Sequence, residues 1–484
     1  MCAAARFRAG PTLTADQVAR GLLPRPRTVR ALPGIFSLGD GATIRPATAL
    51  APSERSAAAT FAPKRASGTS PELVLSAGSA ATQGYRLGVT PQRVEVHGES
   101  PAGLFYGLQT LRQIQFLCGD VWPALEIDDA PDFAVRGLSY DVSRGRVPTL
   151  TALKELVDRL AGLKVNQLQL YTEHTFAFAF DPEISAQASP LTPDEMRDLD
   201  VYCAERRMEL VPSLASCGHM GRILSLPRYR QLAEVSPTQS WEEMTWRQRV
   251  RGLTLDVTNR DSRALLAAMY AEVLPLFSSP WMNVSCDETF DLGQGRGQAR
   301  ARELGPGGLL LEHLRWLHEL CGRHGKRIMF WGDMLKKHPD LVGQLPRDAV
   351  ALNWGYDADA DYESTALFCD SGLTTYVCPG TSSWNRFVAD INTADANIRR
   401  YAAAGKRYGV AGLLNTDWGD DGHVAPPAGA WHPIALGAAL AWNAEGPPPT
   451  TSAPMRRRTQ PPAQPQSWRN AANSAGSTTA WPRR

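Results

Sequence analysis

No window of the sequence approaches 18 uncharged apolar residues, and its first stretch, MCAAARFRAGPTLTADQVARGLLPRP, has no continuous apolar run of the kind that opens a secretory leader. Neither a membrane span nor secretion is expected. Charge of one sign is also scarce. The formal net charge is +2, which leaves no excess of cations to neutralise a phosphate backbone, so nucleic acid is not expected as the main partner. A neutral substrate fits this balance better. Cysteines number eight in 484 residues, at Cys2, Cys118, Cys203, Cys217, Cys286, Cys321, Cys369 and Cys378, without paired short spacings. In a chain this long they read as reduced thiols and point to a cytoplasmic protein. His318, Cys321 and His324 lie at intervals of three, but HExxH spacing and a fourth ligand are both missing, so they read as a helix face. Neither a metal nor a cofactor is expected.

What is present is the composition of a folded chain, 43% hydrophobic and 21% charged, long enough for two or three domains. Residues 1–130 read as a small α+β domain, with strand-like LVLSAG and RVEVHG and then a helix in SPAGLFYGLQTLRQI that starts at Ser100 or Pro101. Residues 131–446 change rhythm, alternating short apolar runs with helical segments, the mark of a parallel βα sheet. Eight runs qualify as strands: 137–143, 166–173, 208–216, 282–288, 327–334, 349–356, 374–381 and 410–419. Eight is the number that closes a TIM (β/α)8 barrel, although strand number alone leaves a doubly wound open sheet possible. Residues 447–484 are rich in Pro, Ser and Arg without apolar periodicity, and are expected to be disordered, with the basic run Arg456 to Arg458 a solvated segment.

Polar and aromatic residues gather where these strands end: Arg144, Glu173, Asp287 with Glu288, Trp331 with Asp333, Trp354, and Asp417 with Trp418. Active sites of such barrels are built there. In WMNVSCDET two adjacent acids leave a mostly apolar strand, where desolvation and mutual coupling separate their pKa values. One can then donate a proton while its ionised neighbour stabilises developing positive charge. The same dipeptide at Asp194 and Glu195 reads only as the start of a helix, so position is what distinguishes the first pair. Trp331, Trp354 and Trp418 offer faces on which sugar rings can stack, or they simply fill the barrel. The glycine-bearing DLGQGRGQAR does not open a helix as a phosphate-binding turn would, and reads as a flexible loop beside the acids.

From about residue 85 to 445 these motifs resemble glycoside hydrolase family 20, the β-N-acetylhexosaminidases. SPAGLFYGLQTLRQ resembles the end of that family's small domain, and DDAPDFAVRGLSYDVSR resembles the start of its barrel, whose second arginine, here Arg144, contacts sugar hydroxyls. The resemblance of CDET to the family's paired acids implies that Asp287 orients and polarises the substrate 2-acetamido group and that Glu288 is the general acid/base. It further implies His219 as a substrate-side histidine, Trp331 and Trp354 as walls around the acetamido group, and Tyr376 as a partner of the acetamido oxygen. Trp418 and Asp420 stand where the family packs a Trp under the sugar and binds its outer hydroxyls with Glu; the shorter Asp shortens that reach. The implied activity is exo-acting, retaining and substrate-assisted hydrolysis of a terminal N-acetylglucosamine or N-acetylgalactosamine through an oxazolinium, an exception to the two-carboxylate scheme.

Two departures accompany this resemblance. LYTEHTF replaces the family's His-rich HxHxxDD-like segment and resembles a divergent bacterial branch, in which Glu173 and His174 line the pocket in roles that do not transfer directly. After Trp442 the chain turns Pro- and Arg-rich where relatives of that branch continue in order. This leaves a second reading, a sugar-binding protein that lost hydrolysis because its last barrel layer is destabilised. A third is an ordinary retaining glycosidase with a carboxylate nucleophile elsewhere.

Overall fold

A computed structural model describes residues 13–39, 41–62 and 71–446; the Pro- and Arg-rich segment 447–484 lies outside the described residues, as does its run Arg456 to Arg458. The first part of the chain forms a six-stranded sheet from β1 (Thr28–Ser37), β2 (Thr43–Pro46), β3 (Glu72–Ala77), β4 (Tyr85–Val89), β5 (Arg93–Gly98) and β6 (Val121–Asp129), in the order β1-β6-β4-β5-β3-β2. Alternation fixes which face is covered, since Val94 and Val96 of β5 are buried while Arg93, Glu95 and His97 are exposed. The covering element is the helix Pro101–Cys118, which buries Leu104, Leu108, Leu111 and Ile114. It starts as the sequence predicts, with Pro101 in the first turn and the Ser100 hydroxyl accepting from the Gly103 N–H at 3.2 Å.

The second part is a closed parallel barrel of β7 (Val135–Asp141), β8 (Gln167–Thr172), β9 (Glu209–Leu214), β10 (Trp281–Asn283), β11 (Arg327–Trp331), β12 (Val350–Trp354), β13 (Thr374–Cys378) and β14 (Gly412–Asp417). Every expected strand is present, and closure by β14 against β13 and β7 excludes the open sheet. Inside, Tyr171, Val211, Met329, Val350, Leu352, Tyr376 and Leu414 fill the barrel, with Trp331 and Trp418 in the same cluster. Outside, Val377 and Leu413 pack against Ile398 and Tyr401 of the helix Ile391–Tyr408 and Leu436 and Leu440 of the helix Trp431–Trp442. No described helix is long and apolar enough to cross a membrane.

The two parts are joined through buried charge. Lys164 Nζ lies 3.1 Å from Asp129 Oδ2 and donates to the Tyr85 hydroxyl at 2.9 Å, while the Trp442 indole N–H donates to Asp129 Oδ1 at 2.9 Å. Both charged side chains are wholly buried, so each needs the other as its counter-ion.

Candidate active site

At the mouth of the barrel the chain leaves β10 after three residues and turns sharply, with Ser285, Cys286 and Glu288 all at positive φ (58°, 67° and 51°). Left-handed backbone at non-glycine residues costs on the order of 1–3 kcal/mol each and persists only where surroundings hold it. Here the Ser285 N–H donates to Asn283 Oδ1 at 2.9 Å, and Trp331 N–H donates to the Ser285 carbonyl at 3.0 Å. The turn presents Asp287 and Glu288 at the barrel mouth instead of within the strand, four and five residues past its end. On the β9 side, Gly218 allows close approach: a Cβ there would meet the Asp287 carbonyl oxygen at 2.3 Å.

His219, also at positive φ (59°), bridges the two acids, its Nε2 lying 3.3 Å from Asp287 Oδ2 and 3.3 Å from Glu288 Oε2. Its Nδ1 faces Arg144 Nη2 at 3.3 Å, while its Nε2–H serves the carboxylates. Burial disfavours the charged ring, but the neighbouring carboxylates overcome it and raise the His219 pKa well above the ordinary value. For Asp287 burial works upward and His219 with Arg144 work downward, and the cations win, holding this carboxyl below the usual range. The pair is unequal in exposure, the Asp287 side chain being 11% accessible and that of Glu288 36%.

Arg144 follows β7 and is itself buried, its Nη1 3.2 Å from both Asp141 Oδ2 and Asp420 Oδ1 and its Nη2 3.3 Å from Glu173 Oε1. Its guanidinium carbon stands 5.0 Å from the Tyr171 ring centroid and 5.4 Å from that of Trp418. One guanidinium among three carboxylates leaves negative charge in excess. Burial resolves it by pushing the Glu173 carboxyl up to about 7, against the pull of Arg144 and His219, and by raising Asp420 as well. Opposite them, Asp333 Oδ2 accepts from the Glu288 N–H at 3.1 Å and Oδ1 from the Trp354 indole at 3.3 Å; burial, then the charge of Asp287, lift it to about 7.

Of the aromatic residues singled out from sequence, Trp331, Trp354 and Trp418 all reach this mouth. Trp331 is 1% exposed and packs on Trp418 at 5.8 Å, so it is floor beneath the site, whereas Trp354 is only partly buried and forms a side. His174 stands beside them at the end of β8, its Nδ1 buried without a partner among the described residues and its ring edge-on to Trp241; burial lowers its pKa to about 4. Tyr376 is the correction. It pairs in register with Gly412, which in turn pairs with Val135, so it sits level with the first residues of β14 and β7, deep in the barrel and away from the mouth. Tyr356, just past β12, is the tyrosine among these aromatics, its hydroxyl accepting from the Trp418 indole at 2.8 Å and its ring stacking on Trp354 at 4.8 Å. Strand-end reasoning alone points to Tyr356, two residues after Trp354. Asp141 carried no such signal: it is fully buried and holds Gly419 N–H at 3.0 Å as well as Arg144.

Asp417 turns away from the site, accepting from the Thr381 and Ser383 hydroxyls at 2.7 and 2.6 Å. DLGQGRGQAR is pinned, since Glu234 Oε1 accepts from the N–H groups of Gly295 at 2.8 Å and Gly297 at 3.0 Å. His318 bonds Asp348 at 2.8 Å, and no described group of three or more His, Cys, Asp or Glu is arranged to hold a metal ion.

With this geometry in place, the chain matches the model of the glycosyl hydrolase family 20 catalytic domain over residues 133–384 and that of the family's domain 2 over residues 19–130. The chain belongs to glycosyl hydrolase family 20. A β-hexosaminidase of Porphyromonas gingivalis is 25% identical over 309 residues, covering 56% of this chain and 38% of that protein. Human hexosaminidase D is 24% identical over 49% of this chain and 47% of its own length, and a β-N-acetylhexosaminidase of Cellulomonas fimi is 41% identical over 29% and 32%. The chain thus spans less than half the length of these relatives. Among solved structures, the N-acetyl-β-hexosaminidase of Streptomyces plicatus in complex with Thio-NAglucal superposes with a TM-score of 0.68 at 20% identity, covering 90% of this chain and 92% of that one. The chitobiase of Flavobacterium johnsoniae gives 0.72 at 20%, covering 87% and 69%. These likenesses are of fold.

Proposed function

We propose that this family 20 chain is an exo-acting, retaining β-N-acetylhexosaminidase that removes a terminal N-acetylglucosamine or N-acetylgalactosamine with help from the substrate's own acetamido group. The observation that carries the reading is His219 Nε2 placed between Asp287 and Glu288, with the first acid buried and held ionised and the second half-open. In this mechanism Glu288 gives its proton to the glycosidic oxygen while the acetamido carbonyl attacks the anomeric carbon. Asp287 stabilises the positive charge that develops on the resulting oxazolinium, and Tyr356 offers its hydroxyl from the facing side. Water deprotonated by Glu288 then opens the intermediate, and two inversions give retention. Arg144 and Asp420 are the groups for the sugar's outer hydroxyls, above the Trp418 floor. The Vibrio harveyi and Streptomyces plicatus family structures carry N-acetylglucosamine in their complexes, which supports this substrate class.

The test is hydrolysis of paired aryl N-acetylglucosaminide and N-acetylgalactosaminide by the purified chain, with N-acetylglucosamine thiazoline as inhibitor. Turnover blocked by the thiazoline is expected. Thiazoline binding without turnover would turn the reading into one of a sugar-binding protein, and full activity on a substrate lacking the acetamido group would replace the mechanism.

A further inference from the structure

Between β9 and β10, residues 236–252 form a strap that no strand-end motif announced. It is braced from within: Thr245 and Gln248 make a reciprocal cap on the short helix Trp246–Arg251, and Arg249 Nε donates to the Trp241 carbonyl at 2.9 Å. The strap ends at Gly252, with φ of 67°, where a Cβ would meet His219 Cα at 2.7 Å. Only glycine fits so close to the bridging imidazole.

Six residues before Gly252 the strap reaches the loop after β14. The Trp246 indole N–H donates to the backbone carbonyl of Asp420, 174 residues further along the chain, and its ring covers Gly422, where a Cβ would lie 3.5 Å from the indole. In the barrel order β14-β7-β8-β9 the strap therefore ties together loops three strands apart, on the side where β7 and β8 deliver Arg144 and Glu173. Trp241, meeting His174 edge-on at 6.4 Å, anchors it over the loop after β8. The side chains of Arg144 and Glu173 are 7% and 9% accessible, against 36% for Glu288. Trp246 itself is 36% exposed, so a core-packing demand does not account for it.

We propose that Trp246 is a positioning residue for sugar binding: its indole N–H fixes the Asp420 backbone so that the short Asp420 carboxylate, already 3.2 Å from Arg144, meets the outer hydroxyls of the terminal sugar. A shorter acid has less freedom to find its ligand than a longer one, and a second anchor on its backbone compensates. This inference rests on the hexosaminidase reading, and its consequence falls on sugar binding instead of on proton transfer.

The experiment compares wild type, Trp246→Phe, Trp246→Ala, Asp420→Asn and the Trp246→Phe/Asp420→Asn double variant. Each is assayed on an aryl N-acetylglucosaminide and for binding of N-acetylglucosamine thiazoline by calorimetry, with melting curves to establish folding. Trp246→Phe keeps a ring but loses the donor. It should raise KM and the thiazoline Kd roughly three- to tenfold, the scale of one lost hydrogen bond, with kcat within about twofold of wild type. Trp246→Ala should raise them further. Because the effect runs through Asp420, Trp246→Phe should add little on the Asp420→Asn background. Unchanged KM and Kd in folded Trp246→Phe, or losses that add fully in the double variant, overturn the inference. A wild type that binds thiazoline without turnover fails the activity reading while leaving the Kd comparison to decide on Trp246; one that neither turns over nor binds overturns both.

Discussion

Three buried cations, Arg136, Lys164 and Arg144, lie against pairs of aromatic rings, and the places of the last two differ in charge balance. Lys164 lies 4.8 Å from the Tyr85 ring and 4.2 Å from that of Trp442, with Asp129 as its ion-pair partner. Arg144 lies over Tyr171 and Trp418 in much the same way, but it faces Asp141, Glu173 and Asp420, with the Asp287 and Glu288 pair just beyond His219. Around Lys164 the one carboxylate also answers the buried Arg136, so no negative charge is left over. Around Arg144 negative charge is in surplus, the backbone is left-handed at His219 and Glu288, and Asp287 Oδ1 is buried without a partner among the described residues. A joint between domains gains from closure, whereas a site that must receive a developing cation gains from unspent negative charge.

The largest effects should separate the two places by what they damage. Asp287→Asn and Glu288→Gln should each lower kcat by roughly two to four orders of magnitude while the protein melts close to the wild-type temperature. Near wild-type turnover in Glu288→Gln would remove the site from this mouth. Lys164→Met should do the reverse. It leaves Asp129 buried without its partner and should cost about 3–5 kcal/mol in urea unfolding, with kcat per folded molecule unchanged. A variant as stable as wild type would erase the contrast.

A smaller effect concerns pH. The Glu173 carboxyl is raised from an ordinary 4.5 to about 7 in the fold, so the native state holds a proton the unfolded chain releases. Its favourable contribution is complete below about 4.5 and is lost as pH rises through about 7, and Glu173→Gln should gain stability relative to wild type across that window. Asp287, held below its ordinary value, has the opposite sign: its contribution is present at neutral pH and is lost on acidification. Denaturant unfolding of both proteins from pH 4.5 to 8 checks this, and a constant difference would show that the Arg144 cluster holds no such proton. The smallest effect separates the two tyrosines. Tyr376→Phe should leave kcat/KM within about twofold, while Tyr356→Phe, which leaves the Trp418 donor without its acceptor, should lower it roughly three- to tenfold.

The barrel was legible because each strand is a short apolar run followed by polar or aromatic residues, and the helices between carry their own period. What separated the two Asp-Glu dipeptides was position: Glu195 caps a helix through Thr192 and Asp194 is open to solvent, whereas Asp287 is buried by the loop after β9. Tyr376 entered the site only through the family resemblance, and its register with Gly412, level with the first residues of β14 and β7, sets it deep in the barrel instead. The strap was illegible for a different reason. TQSWEEMTWRQRVRG has little apolar periodicity, and its value comes from contacts with His174, His219 and Asp420, each distant in sequence.

In the proposed reaction Glu288 moves the proton and the substrate's acetamido carbonyl, not a protein carboxylate, attacks the anomeric carbon. Aryl glucosaminides whose 2-acetamido group carries none, one, two or three fluorines test it most directly, because each fluorine weakens that carbonyl as a nucleophile. Along the series kcat/KM should fall steeply and steadily. A flat series at undiminished turnover would contradict it.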